Sequence, residues 1–194
     1  MSDQPAEEME LIRATIRGDQ RAFQRIVEQY QSPVYNLAYR MLSNAHDAED
    51  AAQEIFLRVY TKLEMYDQSR KFSTWLFSVA SNYCIDRIRR RRPWMPLDDM
   101  AFALPSKDDG PERSALRGEL KEIVQRALAT LPEHYRMVAI LRYWNDLSYQ
   151  EIVSITGLSE SAVKTRLHRA RKMVAEALEA QGEEAVWTAV ASEQ

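Results

Sequence analysis

The stretch NYCIDRIRRRRPW, which begins at residue 82, places five arginines within six residues. Guanidinium groups neutralise phosphates, and the amide of Asn82 can pair with a base edge through both its donor and its acceptor. One or two arginines would offset the dipole of a helix that ends at Pro93. Five so close together repel one another, which predicts an external anion. A basic track with aromatic residues nearby is typical of sites for single-stranded nucleic acid.

A helix predicted over residues 73–91 positions these groups. Projected at about 100° per residue, Asn82 and Arg89 lie on its outer face, two turns apart. Trp75 lies on the same side, seven residues before Asn82, and its spacing fits a core position as well as a stacking role. The buried stripe of this helix is predicted to consist of Leu76, Val79, Ala80 and Tyr83.

A second signal lies near the C-terminus, in LSYQEIVSITGLSESAVKTRLHRARKMV. Ser148 and Glu151 have the spacing of a capping box, which predicts the start of a short helix, and Gly157 can end that helix in the left-handed conformation. Ser159 would cap a second, longer helix. This order predicts a helix-turn-helix, whose second helix enters the major groove of DNA.

The second helix of this motif has two predicted faces. The first residues of its outer face would meet base edges, whereas later basic residues more often meet phosphate. Arg166 falls close to the buried stripe, where a phosphate or an intradomain contact is expected. The predicted buried stripe consists of Val163, Leu167, Ala170 and Val174. The outer face consists of Ser161, Lys164, Thr165, His168, Arg169, Arg171 and Lys172.

A third surface is predicted on the helix DAEDAAQEIFLRVYTKLEMYD, whose first acids suit a helix N-terminus. A face that mixes acidic, polar and apolar groups suits a protein partner rather than nucleic acid, although the spacing fits an ordinary solvated face equally well. The inward positions are Ala48, Ala52, Ile55, Val59 and Leu63. The outward positions are Asp50, Gln53, Glu54, Leu57, Arg58 and Thr61.

The net charge of −3 hides a separation along the 194 residues. Residues 1–10 and 176–194 carry nine acids and no Lys or Arg, so the body between them has 26 basic and 20 acidic residues. A basic body with clustered arginines suits a polyanionic partner.

The composition argues against several classes of protein. One cysteine and three histidines supply no nucleophile–base pair or metal cluster, so neither an enzyme nor a cofactor is expected. No apolar run approaches the roughly 20 residues that span a bilayer, and the first ten residues lack the apolar stretch of a signal peptide. We therefore expect a cytoplasmic protein without membrane insertion. Cys84 is expected to be a buried thiol, and His46 and His134 to be surface residues.

The chain as a whole is predicted to be all-α, with two small helical domains joined by a Pro-rich irregular linker. Four of the seven prolines lie in residues 93–113, where they disfavour helix. The length of this linker would let the domains sit well apart, yet its apolar residues predict that it docks on something. The predicted parts are the N-terminal domain 1–92, the linker 93–113, the C-terminal domain 114–178 and the acidic tail 179–194. Helices are expected near 7–17, 20–43, 47–63, 73–91, 113–130, 133–143, 149–156 and 160–179.

These motifs together resemble bacterial sigma factors of the extracytoplasmic-function type, the two-domain initiation subunits of RNA polymerase. DAEDAAQEIFLRVY resembles the family's clamp-binding helix, FSTWLFSVASNYCIDRIRRRR its −10 recognition helix, and LPEHYRMVAILRYWNDLSYQEIVSITGLSESAVKTRLHRAR its −35 binding domain. The resemblance covers roughly residues 19–178. It implies core RNA polymerase as a partner, through the β′ clamp coiled coil and the β subunit, together with promoter DNA and an anti-sigma factor. It also implies a monomer when bound to polymerase.

The resemblance also implies roles for individual positions. Residues 161–162 are Ser-Ala where many members have Gly-Thr, a departure that bears on base preference at the start of the recognition helix. The polymerase contacts would be Asp50, Gln53, Glu54, Leu57 and Arg58. The −10 contacts would be Asn82, Arg89, Arg90, Arg91 and Arg92. The −35 contacts would be Ser161, Ala162, Lys164, Thr165, Arg166, His168, Arg169, Arg171 and Lys172.

Two other binding functions compete with this interpretation. An ordinary helix-turn-helix regulator would bind duplex DNA without polymerase, but it would have no use for the docking helix or the Asn82 stripe. A decoy that only sequesters an anti-sigma factor would be expected to lose its basic contact residues, and this chain retains them. The acidic tail, with Trp187, lies outside the shared pattern.

Overall fold

A computed structural model describes residues 4–91, 111–180 and 182, and these ranges form helices and turns without a β-strand. The all-α prediction is confirmed, and the eight expected helices are found with ends shifted by at most three residues. A short 3₁₀ turn, Leu63–Met65, follows the third helix. The helices are α1 Gln4–Ile16, α2 Gln20–Leu42, α3 Ala45–Lys62, α4 Phe72–Arg91, α5 Pro111–Thr130, α6 Glu133–Tyr143, α7 Tyr149–Thr156 and α8 Glu160–Glu179.

The N-terminal half is built around α2, which packs against α1, α3 and α4. Asp19 caps α2, since its carboxylate accepts hydrogen bonds from the backbone N–H groups of Arg21 and Ala22. The helix ends at Ser43, which adopts the left-handed conformation with φ of 58°. The core between these helices is apolar and includes the fully buried side chains Ile12, Ile26, Leu37, Ile55, Phe72 and Leu76.

The C-terminal half contains α5 to α8, and α8 packs against the other three helices. A second apolar cluster lies between α5, α6 and α8 and includes Ile123, Leu128, Leu131, Val174 and Leu178. The predicted buried stripe of α8 is confirmed, since Val163, Leu167, Ala170 and Val174 are all buried.

The two halves are in direct contact, whereas the linker length alone suggested that they could sit apart. Buried residues of α6, α7 and α8 belong to the same apolar cluster as the core of the N-terminal half. The amide of Gln125 donates to the backbone oxygens of Tyr39 and Arg40 and to the Ser43 hydroxyl, all at the end of α2. The Arg136 guanidinium donates to the Met41 carbonyl at 2.6 Å.

The buried stripe of α4 differs from the predicted one. Leu76 and Ala80 are buried, but Val79 and Tyr83 are only half-buried, and Phe77, Ser81 and Cys84 are buried with them. The reason is that α4 packs against α2 and α3 on one side and against α6 and α7 on the other. Burial raises the pKa of the Cys84 thiol to about 12, as expected for a structural cysteine.

The inward face of α3 is largely as predicted, with Ala48, Ile55, Val59 and Leu63 buried. Ala52 is half-buried, and Ala51 and Phe56 are additional buried positions. Within the described ranges, no helix combines the length and the hydropathy that crossing a lipid bilayer requires.

The linker prediction falls mostly on residues 92–110, and most of the acidic tail, including Trp187, falls on residues 183–194. Both lie outside the part of the chain that the structure describes.

Candidate nucleic-acid interface

The helix-turn-helix is held by local hydrogen bonds that the sequence predicts. The Ser148 hydroxyl accepts from the Glu151 backbone N–H, and the Glu151 carboxylate accepts from the Ser148 backbone N–H at 2.9 Å, which completes the capping box. Gly157 ends α7 with φ of 69°. The Ser159 hydroxyl then accepts from the Ala162 N–H at 3.2 Å and starts α8. The angle at which α8 leaves the turn is therefore set by residues 148–162.

The outer face of α8 is open to solvent, as an element that enters a DNA groove must be. Ala162 and Arg166 are half-buried, which agrees with the placement of Arg166 beside the buried stripe. The exposed residues of the predicted −35 set are Ser161, Lys164, Thr165, His168, Arg169, Arg171 and Lys172.

The cations on this face are weakly held within the protein. Lys164 pairs with Glu160 one turn earlier at 2.6 Å, and this contact raises the pKa of the lysine. Arg169 donates to the Tyr135 hydroxyl at 3.2 Å. Such surface contacts contribute little stability, so phosphates can replace them at low cost.

The outer stripe of α4 presents Asn82 and Arg89, both exposed. Trp75 does not stand free beside them: it is half-buried, and its ring lies 5.3 Å from Tyr66 and 5.8 Å from Phe72. Of the two interpretations of Trp75, the structure favours the core position. Nucleic-acid recognition on this helix would then depend on Asn82 and its cationic neighbours.

Each end of the α4 stripe meets an acid of the C-terminal half. Lys71, just before α4, pairs with Glu151 at 2.8 Å. Arg89 lies 3.8 Å from the Glu133 carboxylate. The charges of the stripe are therefore partly neutralised in this arrangement.

The arginine run divides into two groups that its spacing did not reveal. Arg87 and Arg91 turn towards Asp47 at the start of α3, and Arg91 binds both oxygens of that carboxylate. Arg89, Arg90 and Arg91 are all exposed, but of these three it is Arg91 that reaches Asp47. Arg92 lies outside the described residues. The external anion predicted for the whole run is thus open to Arg89 and Arg90, while Arg87 and Arg91 have an internal partner.

Asp47 was predicted only as an acid suited to a helix N-terminus, and the structure places it at the centre of this contact. Its pKa is lowered because Arg91 and Arg87 donate to it, although burial acts in the opposite direction. A single sequence offers no signal for this role, because the arginines lie 40 and 44 residues further along the chain.

The predicted docking face of α3 is exposed at Asp50, Gln53 and Leu57, with 57% of Leu57 accessible. Glu54 and Arg58 are half-buried and pair with each other at 3.1 Å. A leucine this exposed in the middle of a helix is typical of a binding surface when other apolar groups surround it.

Such groups are supplied by α2. A groove of about 940 Å³ runs between α2 and α3 beside Leu57 and Gln53. We call it the α2–α3 groove. Its apolar walls include residues that the sequence interpretation missed, although their spacing of four and eight residues on α2 is a signal for an apolar face. These residues are Phe23, Val27 and Tyr35 on α2, with Phe56 and Tyr60 on α3.

Among the described residues, no group of three or more His, Cys, Asp or Glu side chains could hold a metal ion.

Comparisons with known proteins find a separate family match for each half of the chain. The sequence matches Sigma-70 region 2 over residues 26–93 and Sigma-70, region 4 over residues 121–174. It is 41% identical over 170 residues to the ECF RNA polymerase sigma factor SigW of Bacillus subtilis, covering 83% of this chain and 91% of the relative. It is 33% identical over 185 residues to the ECF RNA polymerase sigma-E factor of Escherichia coli K12, covering 90% and 95%.

The fold is also found among solved structures. CnrH, solved in complex with the cytosolic domain of CnrY, matches with a TM-score of 0.69 at 27% identity, over 90% of this chain and 98% of that one. The sigma factor RpoE of Bartonella quintana, solved with the anti-sigma factor NepR, has a TM-score of 0.65 at 20% identity, over 81% and 96%, and shows the likeness of fold. On the sequence matches above, the chain belongs to the ECF family of RNA polymerase sigma factors.

Proposed function

We propose that this protein binds core RNA polymerase, directs it to promoters by contacting −35 and −10 elements, and helps to open the strands. The observation that carries the proposal is the presence of two separate exposed faces of polar and cationic residues on one chain, one on α4 and one on α8. The face of α8 suits a duplex groove, and the Asn82 stripe of α4 suits a single strand. A regulator that binds duplex DNA alone would need only the first.

The polymerase would be held through the docking face and the α2–α3 groove. Asp50, Gln53, Glu54, Leu57 and Arg58 would contact the β′ clamp coiled coil, with further contacts to the β subunit. The exposure of Leu57 beside an apolar groove supports a protein partner here, because monomeric surfaces rarely leave such patches uncovered.

Each DNA element would have its own set of residues. Asn82 would contact a base of the −10 strand while Arg89 and Arg90 contact phosphates. On α8, the residues near its N-terminus would meet base edges of the −35 element, and the later cations would meet its backbone. Control by an anti-sigma factor is the remaining part of the proposal, and it is supported by family membership.

In vitro transcription with purified core enzyme tests the central claim. Promoters would first be selected from genomic fragments by the reconstituted holoenzyme, and transcripts would then be mapped. We expect initiation at these promoters, with binding that weakens steeply as salt rises. Failure to initiate at any selected fragment would reject the proposed function.

The variant Asn82→Ala tests the −10 assignment. Loss of one base contact is expected to weaken strand opening about tenfold, measured as permanganate reactivity, while gel-shift binding to the closed duplex stays within about twofold. Gln29→Ala, an exposed amide on α2, is the matched control. Equal losses of opening and duplex binding would contradict the role of Asn82.

A further inference from the structure

Asp47 is a buried carboxylate shared by two arginines of another helix. Only 9% of the residue is exposed. Arg91 binds both of its oxygens, and Nη2 of Arg87 donates to Oδ1 at 2.9 Å. Arg87 also reaches the Tyr83 hydroxyl at 3.1 Å and Asp50 at 3.4 Å. We call Asp47, Arg87 and Arg91 the Asp47 cluster, and it joins the first turn of α3 to the last turns of α4.

The carboxylate of Asp47 is not required to cap its own helix. Asn44 caps α3, and its side-chain oxygen accepts the backbone N–H of Asp47 at 3.0 Å. The Asp47 side chain is therefore directed at α4. A buried carboxylate is costly unless it is paired, and bidentate pairing with arginine is the geometry that compensates it best.

The contact of Asp47 with Arg87 and Arg91 fixes the rotation of α4 about its own axis. At about 100° per residue, Arg87 and Arg91 lie roughly 40° apart on the side that faces α3. Asn82 and Arg89 lie roughly 140° to 160° away from Arg87, on the opposite side. Holding the first pair against α3 thus turns the second pair outward. The last turn of a helix is where fraying begins, so a fixed point there has a large effect on side-chain direction.

We propose that Asp47 is a positioning residue for capture of the −10 strand, because it holds Arg87 and Arg91 against α3 and so presents Asn82 and Arg89 to the nucleic acid. Arg87 and Arg91 then stabilise α4 and are not phosphate ligands. This inference rests on the proposed function, and it assigns to Asp47 a role in that function without contact with DNA.

A role through charge alone and a role through positioning predict opposite effects of removing the Asp47 carboxylate. Taking away a carboxylate that lies beside the nucleic-acid-binding helix α4 should strengthen binding of a polyanion, since the net positive charge there rises. Loss of positioning should weaken it, since Asn82 and Arg89 are no longer held in place. The sign of the change therefore separates the two roles.

The first experiment uses holoenzyme that carries Asp47→Asn. The probe is a promoter fragment selected by the wild-type holoenzyme, prepared either as a full duplex or with its −10 segment as a single strand. We expect about tenfold weaker capture of the single-stranded form, with affinity for core polymerase and for the −35 duplex unchanged. Asp86→Asn is the control, because it removes an exposed carboxylate from α4 itself, and it should bind equally well or slightly more tightly.

The second experiment does not depend on the stability of the Asp47 variant. Arg91→Gln keeps the buried carboxylate, which Arg87 still contacts, and the slope of log affinity against log salt is measured on the single-stranded form. A phosphate ligand lowers this slope by about 0.7, as we expect for Arg89→Gln. Arg91→Gln should weaken capture and leave the slope unchanged.

Each experiment has a result that would overturn the inference. Capture by Asp47→Asn holoenzyme as tight as that of the wild type would overturn the inference. A decrease in the salt slope of Arg91→Gln as large as that of Arg89→Gln would also overturn the inference. This test holds even when Asp47→Asn does not fold. A wild-type holoenzyme that captures no single-stranded −10 segment would instead reject the proposed function.

Discussion

Asp47 is a residue whose ionisation stabilises the described fold. Its pKa is lowered in the folded protein, because Arg91 and Arg87 donate to it despite its burial. A carboxyl group with a lowered folded-state pKa stabilises the fold above its unfolded-state pKa of about 4. That contribution is lost as the pH falls through the folded-state value.

The pH dependence of stability should report this directly. Asp47→Asn is expected to be about 2 kcal/mol less stable than the wild type at pH 7, and the gap should shrink as the pH falls below about 4. Urea unfolding followed by circular dichroism between pH 3 and 7 measures it. Asp86→Asn, whose carboxyl is exposed, should run parallel to the wild type. A gap for Asp47→Asn that stays constant down to pH 3 would contradict this account.

For individual residues, the sequence predicts the exposure of a side chain correctly where that exposure depends on the residue's own helix. The exposure of Asn82 and Arg89 follows from their position on α4, and both are exposed. The partner of Arg91 could not be found in this way. It lies on another helix, and only the packing of α3 against α4 brings the two together.

The helix-turn-helix is the element that was predictable almost in full. Its capping box, glycine turn and second cap each involve residues that are close together in the chain, so the sequence alone predicts them correctly. The buried stripe of α4 was predicted less well, because that helix packs on two sides. Helical periodicity predicts one apolar face for a helix. It does not indicate that the C-terminal half covers a second face of α4.

Gly157→Ala tests how far the turn fixes the recognition helix. A Cβ at this position would meet no atom within 4 Å, so the cost comes from the positive φ alone, about 1 kcal/mol. We expect this loss in thermal unfolding together with weaker binding of holoenzyme to a −35 duplex. Gly18→Ala is a matched control, because Gly18 also has a positive φ without neighbours but lies between α1 and α2. Equal −35 affinity in the two variants would show that the turn does not set the angle of α8.

At the scale of the whole molecule, the contact between the two halves is the feature that sequence patterns left open. Apolar positions on α6 and α7 indicate burial, but they do not say whether the buried side faces the same domain or another. The structure shows that these helices complete the N-terminal core. The sequence also gives no signal for the contact made by Gln125, which is buried and donates hydrogen bonds to three groups at the end of α2.

Gln125→Ala should loosen this contact. Its removal leaves the two carbonyls of α2 without the amide donor, a loss of about 1 to 3 kcal/mol. Small-angle X-ray scattering is expected to show a larger radius of gyration for the free protein, with the helical content unchanged. Lys121→Ala, at an exposed position on the same helix, is the control. An unchanged radius in both variants would mean that other contacts hold the halves together.

The packing of α7 on α4 also has a consequence for the apparent affinity for a promoter. Elements at −35 and −10 are about 25 base pairs apart, roughly 85 Å along the duplex at about 3.4 Å per pair. Helices in direct contact cannot reach both. Fully extended, the 19 residues from 92 to 110 would reach at most about 65 Å. Since contact with both elements at once requires the two halves to separate, every tenfold preference of the free chain for the form with the halves in contact raises the apparent dissociation constant of that two-element complex about tenfold.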